Sequence, residues 1–129
     1  MKTSYFALIS SEYPGAIAIS CWIPQNTNYI RYPKLAPSKE LLNNYKTNPN
    51  ERNYTAEYFD QLFELNPQTV WDELHELAQS NEPILLCYEN PKKFCHRRLV
   101  AKWFERELGQ IVEEYSLGKA SDYVQPCLF

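Results

Sequence analysis

Residues 83–109 read PILLCYENPKKFCHRRLVAKWFERELG, and the reading of this stretch decides the fold. Pro83–Tyr88 is a short, uninterrupted apolar run without polar alternation, the pattern of a strand covered on both faces. Glu89–Phe94 reads as a loop. From Cys95 to Leu108 the apolar residues Leu99, Val100, Trp103 and Phe104 recur at helical spacing, and Gly109 stands where a left-handed residue closes a helix. Gln110–Tyr115 resembles a following strand. Strand, helix and strand in about thirty residues make a βαβ unit, whose crossover is expected to be right-handed.

Upstream, Tyr5–Ile9 and Ala16–Trp22 are apolar runs separated by Ser-Ser-Glu-Tyr-Pro-Gly, and the second reads as another strand buried on both faces. Ile23–Pro37 is irregular and rich in Pro, Asn and Tyr; a connection of that length in a compact domain commonly carries function. Three helices are expected next. The first opens at Pro37-Ser38 and carries Leu41, Leu42 and Tyr45 before Asn48-Pro49-Asn50 closes it. The second is capped by Thr55 and carries Tyr58, Phe59, Leu62, Phe63 and Leu65. The third starts at Asn66-Pro67, with Val70, Trp71, Leu74, Leu77 and Ala78 on one stripe. The expected architecture is a three-layer α/β sandwich, with a mainly parallel central sheet of four or five strands flanked by helices. Residues 1–129 form one domain, of which 116–129 are a tail whose Val124, Leu128 and Phe129 are apolar enough to dock.

Composition narrows the function. A net charge of −3 argues against binding duplex nucleic acid through bulk electrostatics, and three glycines cannot build a glycine-rich phosphate loop. Ten tyrosines suit a groove or interface where a ring is buried and a hydroxyl wet. The sequence has no apolar run of about 18 residues and no signal-peptide pattern, so a cytoplasmic protein without membrane association is expected. In that reducing compartment Cys21, Cys87, Cys95 and Cys127 are expected as free thiols.

On a helical wheel His96 falls on the apolar face of the Cys95–Leu108 helix, while Cys95 and Arg98 align with Lys102 and Arg106 as a basic stripe. The start of this helix offers orphan N–H groups and partial positive charge, beside Lys92 and Lys93. An anion would be favoured there, gripped by Arg97 or Arg98, and a thiol would be drawn toward thiolate. Ligands of open α/β sheets bind outside the carboxyl ends of the strands, where Cys87–Arg98 is expected to lie. Each residue also has a structural reading. His96 fits a hydrogen-bonded core histidine, Cys87 and Cys95 fit small packing residues, and the basic stripe fits a solvated face. Arg97 could pair with a buried carboxylate such as Glu89. The seven-residue gap and adjacent Cys-His match no common zinc spacing, so neither metal nor cofactor is expected. Glu113 and Glu114, as strand neighbours, point to opposite faces.

The segment Leu85–Trp103, with its Cys87-x-Glu89 and Cys95-His96-Arg97, resembles the signature of the domain-of-unknown-function 488 family. The resemblance extends to Ser20 and Pro24, Arg31–Ser38, the Tyr45-Lys46 pair and the Tyr54/Tyr58 spacing. By position it singles out Pro24, Tyr32, Pro37, Lys46, Tyr58, Cys87, Glu89, Cys95, His96 and Arg97. Longer members open with an Asp-x-Arg segment that has no match here.

Together these readings point first to an enzyme or former enzyme acting on a small anionic, nucleotide-like or nucleic-acid-derived ligand. Cys95 is the expected nucleophile or redox thiol, His96 the acid/base, and Glu89 the group that orients His96 or Arg97. Arg97, Arg98, Lys92, Tyr32, Lys46 and Cys87 are the expected ligand-binding residues. The alternatives are a non-catalytic module that binds single-stranded nucleic acid or a protein through the basic face, and a structural Cys/His/Arg network.

Overall fold

A computed structural model describes residues 1–89 and 94–115. Among the described residues five strands are formed: β1 (Lys2–Tyr5), β2 (Ala16–Ala18), β3 (Ile30–Arg31), β4 (Ile84–Cys87) and β5 (Glu113–Glu114). Between them lie α1 (Lys39–Thr47), α2 (Glu51–Phe63), α3 (Pro67–Ala78) and α4 (His96–Leu108), with one 3₁₀ turn at Pro33–Leu35. The strands make a single sheet in the order β3-β2-β4-β1-β5, and every described pairing is parallel. This is the expected α/β class with a parallel sheet.

Local chemistry sets the helix starts. The Ser38 hydroxyl accepts from Leu41 N–H at 3.1 Å, Asn50 Oδ1 from Asn53 N–H at 3.1 Å, and Asn66 Oδ1 from Thr69 N–H at 2.9 Å. Each satisfies a donor that has no partner within its helix. Two boundaries differ from the sequence reading. Helix α2 begins a turn earlier than expected, because Asn50 caps it rather than Thr55. The first strand is Lys2–Tyr5 instead of Tyr5–Ile9, its register running from Lys2 opposite Ile84 to Tyr5 opposite Cys87. Phe6 and Ile9 are apolar for another reason: they cover the sheet. The stretch expected to be irregular also contains β3, whose two residues pair with Ile17 and Ala18.

Alternation along the strands divides the core in two. Ile17, Ile19 and Leu85 face the helices, where they meet Leu35, Tyr58, Leu62, Leu74, Val100 and Phe104. Ala16, Ala18, Ile84 and Leu86 face the other way, beneath Phe6 and Tyr29, with Ile9, Tyr13 and Ile23 packed at the side. The sheet is thus sandwiched between a helical layer and a layer of connecting segments. Among the described residues no helix is long and apolar enough to cross a membrane.

Topology now places a crevice. After β2 the chain moves outward to β3, whereas after β4 it passes over β1 to β5. The connections therefore diverge between the carboxyl ends of β2 and β4, the switch point at which open parallel sheets bind ligands.

Candidate functional site

That crevice is occupied by a cavity of about 290 Å³. Ser20, Cys21 and Trp22 line it from the end of β2, Cys87, Tyr88 and Glu89 from the end of β4, and Cys95 and His96 from the start of α4. Tyr45, Tyr54 and Phe94 add aromatic walls. Trp22 and Tyr88 are exposed, and the Tyr88 ring is held edge-on against Phe6 with centroids 4.9 Å apart.

The sulfurs of Cys87 and Cys95 are bonded to one another, while Cys21 is a free thiol. This corrects the expectation of free thiols for Cys87 and Cys95. The end of β4 and the start of α4 thus lie against one another, which residue spacing alone did not show. Burial raises the Cys21 thiol above its ordinary range, against the lowering effect of Lys39 and Arg31. Its Sγ lies 3.1 Å from the Pro37 carbonyl. Cys127 lies outside the described residues.

His96 is buried beside the pair. Its Nε2 is 2.6 Å from the Ile19 carbonyl, and its Nδ1 is 3.7 Å from Cys95 Sγ. A carbonyl only accepts, so Nε2 carries the proton and Nδ1 presents a lone pair to the sulfur. Burial, with the nearby Arg97 charge, lowers the His96 pKa to about 4, although the Ile19 hydrogen bond opposes the shift. The imidazole is therefore neutral at physiological pH. Tyr58 of α2 stands edge-on to it at 5.3 Å and donates its own hydroxyl to the Leu35 carbonyl, so the ring is held from both sides.

Arg97 is 1% exposed and turns away from the cavity. Its Nε donates to Glu114 Oε1 at 3.1 Å, Nη2 to Glu114 Oε2 at 3.0 Å, and Nη1 to Cys87 Sγ at 3.0 Å and to the Glu89 carbonyl. Its buried carboxylate partner is Glu114, not Glu89. In a parallel sheet Glu114 lies beside Thr3, whose hydroxyl donates to it at 2.7 Å. The expected division of Glu113 and Glu114 between opposite faces holds, one exposed and one buried. Arg98 reaches Thr3 Oγ1 at 2.7 Å and the Val112 carbonyl. Neither arginine lines the cavity.

The remaining residues separate. Glu89 lines the cavity and Cys87 its floor. Tyr32 lies elsewhere, its hydroxyl donating to Glu73 of α3, and Lys46 is exposed on α1 away from the cavity wall. Lys92 and Lys93 lie outside the described residues. On the basic stripe, Arg106 packs over the Phe59 ring at 4.9 Å and lies 3.4 Å from Glu107. Sequence reasoning missed Cys21, Tyr54, Phe94 and Trp22 as walls, the Ile19 carbonyl as the anchor of His96, and Glu114 as the anchor of Arg97. Only the surplus of aromatic residues hinted at the walls. A larger depression of about 490 Å³ between α1 and α2 shares Tyr45 and Tyr54 but is otherwise lined mostly by asparagines, and among the described residues no cysteine or histidine borders it.

Comparison with known proteins gives one family: the model DUF488-N3a, described as the active DUF488-N3 subclade, matches residues 9–108. No curated protein and no solved structure matches.

Proposed function

The chain belongs to the DUF488-N3a family, and from that premise we propose that it is a thiol-dependent enzyme acting on a small, ring-bearing, nucleotide-like molecule. Cys95 is the nucleophile, His96 the proton acceptor, and Cys87 the thiol that resolves the adduct. One observation carries this reading: two bonded sulfurs at the floor of an aromatic cavity, with the unprotonated Nδ1 of His96 3.7 Å from one of them.

In the reduced form, Nδ1 takes the Cys95 S–H proton. Because burial disfavours imidazolium, that proton passes on to the leaving group rather than remaining on the ring. The Cys95 thiolate bonds to an electrophilic atom of the substrate, and the leaving group departs with its electron pair. Cys87, its sulfur 3.0 Å from the Arg97 guanidinium, then attacks Cys95 Sγ. This forms the disulfide and releases the substrate fragment, which keeps the electrons of the broken S–X bond and takes the Cys87 thiol proton. The substrate has gained two electrons, and two low-molecular-weight thiols, themselves oxidised to a disulfide, return the chain to its dithiol form.

Substrate recognition in this reading comes from rings stacking on Tyr45, Tyr54, Phe94 and Trp22. Arg97 and Arg98, expected to grip an anion, serve as scaffold. Pulsed alkylation of the reduced chain with iodoacetamide, read by peptide mapping, tests the proposal. Cys95 should react about tenfold faster than free cysteine at neutral pH and faster than Cys21. A rate no higher than that of free cysteine removes the nucleophile.

A further inference from the structure

We propose that the reduced Cys87, Cys95 and His96 form a binding site for one thiophilic divalent cation, zinc being the class member, and that metal and disulfide are alternative states of the site. The inference rests on the dithiol form which the thiol reading also requires, but it does not need Cys95 to be a nucleophile.

Three observations converge. First, one donor atom from each residue lies within 4.8 Å of the others, and all three residues are buried. Tetrahedral zinc, with Zn–S of about 2.3 Å and Zn–N of about 2.0–2.1 Å, separates sulfur from nitrogen by roughly 3.5 Å. The Cys95 Sγ to His96 Nδ1 distance is already 3.7 Å. Secondly, the Cα atoms of Cys87 and Cys95 are 7.5 Å apart, wider than the usual range of about 4.4–6.8 Å for a disulfide. The backbone thus leaves room for sulfurs held apart across a cation. Thirdly, the outer contacts are those of a metal site. The Nε2–H of His96 is fixed on the Ile19 carbonyl, which directs the Nδ1 lone pair inward, and Arg97 donates to Cys87 Sγ.

Charge gives the reason for a divalent ion. Arg97 is already paired with Glu114 within the same buried cluster, and the half-exposed Arg98 lies 3.8 Å from the same carboxylate. Two thiolates would add two negative charges in a place where burial makes them costly. A divalent cation cancels both, releasing two thiol protons as it binds. Three protein ligands leave a fourth position, which the cavity wall formed by the same residues opens to a water or a substrate atom. In the alternative state an oxidant such as a peroxide removes two electrons from the dithiol, the S–S bond forms, and the ion leaves. Common zinc spacings do not reveal such a site, because its ligands come from the end of β4 and the start of α4.

The test uses the full chain, reduced and stripped of metal by a chelator, and titrated with cobalt(II) and then zinc. One equivalent of cobalt should bind with a thiolate-to-cobalt charge-transfer band, and zinc should abolish that band. The disulfide form should bind neither ion. Cys87→Ser and His96→Ala should each weaken zinc binding by more than about a hundredfold, whereas Glu113→Gln, exposed and away from the cavity, should bind as the parent does. Absence of the band in the reduced parent chain overturns the inference without any variant, as does a band retained undiminished in Cys87→Ser. Rapid alkylation of Cys95 in a chain that binds no metal would leave the thiol reading standing alone. Metal binding with an unreactive Cys95 would do the reverse.

Discussion

Replacing Glu114 by Gln tests whether the scaffold behind the site is held by a desolvated ion pair. The side chains of Arg97 and Glu114 are 1% and 6% exposed, so solvent does little to screen them. Two of the guanidinium nitrogens contact the carboxylate, and Thr3 donates to the same group. The amide has nearly the same shape, but it presents an N–H₂ to a cation and leaves Arg97 uncompensated. Removing one partner of a buried pair costs about 3–5 kcal/mol. Because the remaining amide oxygen still accepts one hydrogen bond, a loss near 3 kcal/mol is expected. For a domain of this size that lowers the melting temperature by roughly 12 °C, at about 4 °C per kcal/mol. Calorimetry and urea titration should agree, with both proteins kept in one redox state. The exposed neighbour supplies a control, since Glu113→Gln should change stability by less than about 0.5 kcal/mol. The double replacement Arg97→Met with Glu114→Leu should recover most of the loss, because it removes the unpaired charge as well as the pair. A Glu114→Gln loss below about 1 kcal/mol, or a double variant as unstable as the sum of the single ones, would refute this account.

The depressed pKa of His96, about 4, against an unfolded value of about 6.5, fixes the sign of a pH effect. The unfolded chain takes up the proton first on acidification. Stability is therefore complete above pH 6.5, falls as pH drops toward 4 and levels off below, by about 3 kcal/mol in total; urea titrations across that window should show a drop that His96→Asn removes. At Gly15 a Cβ would stand 2.2 Å from the Glu82 carbonyl oxygen, and Gly15 itself accepts from Ile84 N–H at 2.8 Å. Gly15→Ala should accordingly cost about 1–3 kcal/mol by overpacking, measured from the shift in denaturation midpoint. Gly109 closes α4 at a φ of +69°, and no atom of the described residues lies within 4 Å of an added Cβ. Gly109→Ala should therefore lose only about 1 kcal/mol, from backbone conformation alone, and a larger loss would reveal a contact that the geometry denies.

Several features were legible because they are local. The unbroken apolar run at Pro83–Tyr88 and the 3.6-residue recurrence of Leu99, Val100, Trp103 and Phe104 identified β4 and α4. Gly109 marked the end of α4 and Asn66-Pro67 the start of α3. The two-residue β3 was harder. It is too short to show a period, and Ile30–Arg31 becomes a strand only because Ile17 and Ala18 lie beside it, whereas β5 falls within the expected Gln110–Tyr115. The apolar run Tyr5–Ile9 misled about the first strand, since apolarity reports burial and not the conformation in which a residue is buried. The expected cap at Thr55 gave way to Asn50, whose extended backbone lets its side chain accept from Asn53 N–H one turn earlier.

By itself the sequence determined that the chain is a parallel α/β domain and that Cys87, Cys95, His96 and Arg97 gather where β4 hands over to α4, because periodicity and capping depend on residues a few positions apart. Tertiary structure decided what each of them touches. Contacts across 77 residues tie His96 to Ile19, and contacts across 17 residues tie Arg97 to Glu114. Together they aim the imidazole at sulfur and withdraw the guanidinium from the cavity. Those pairings follow from strand order and register, which arise when distant segments pack together and leave no periodic trace along the chain.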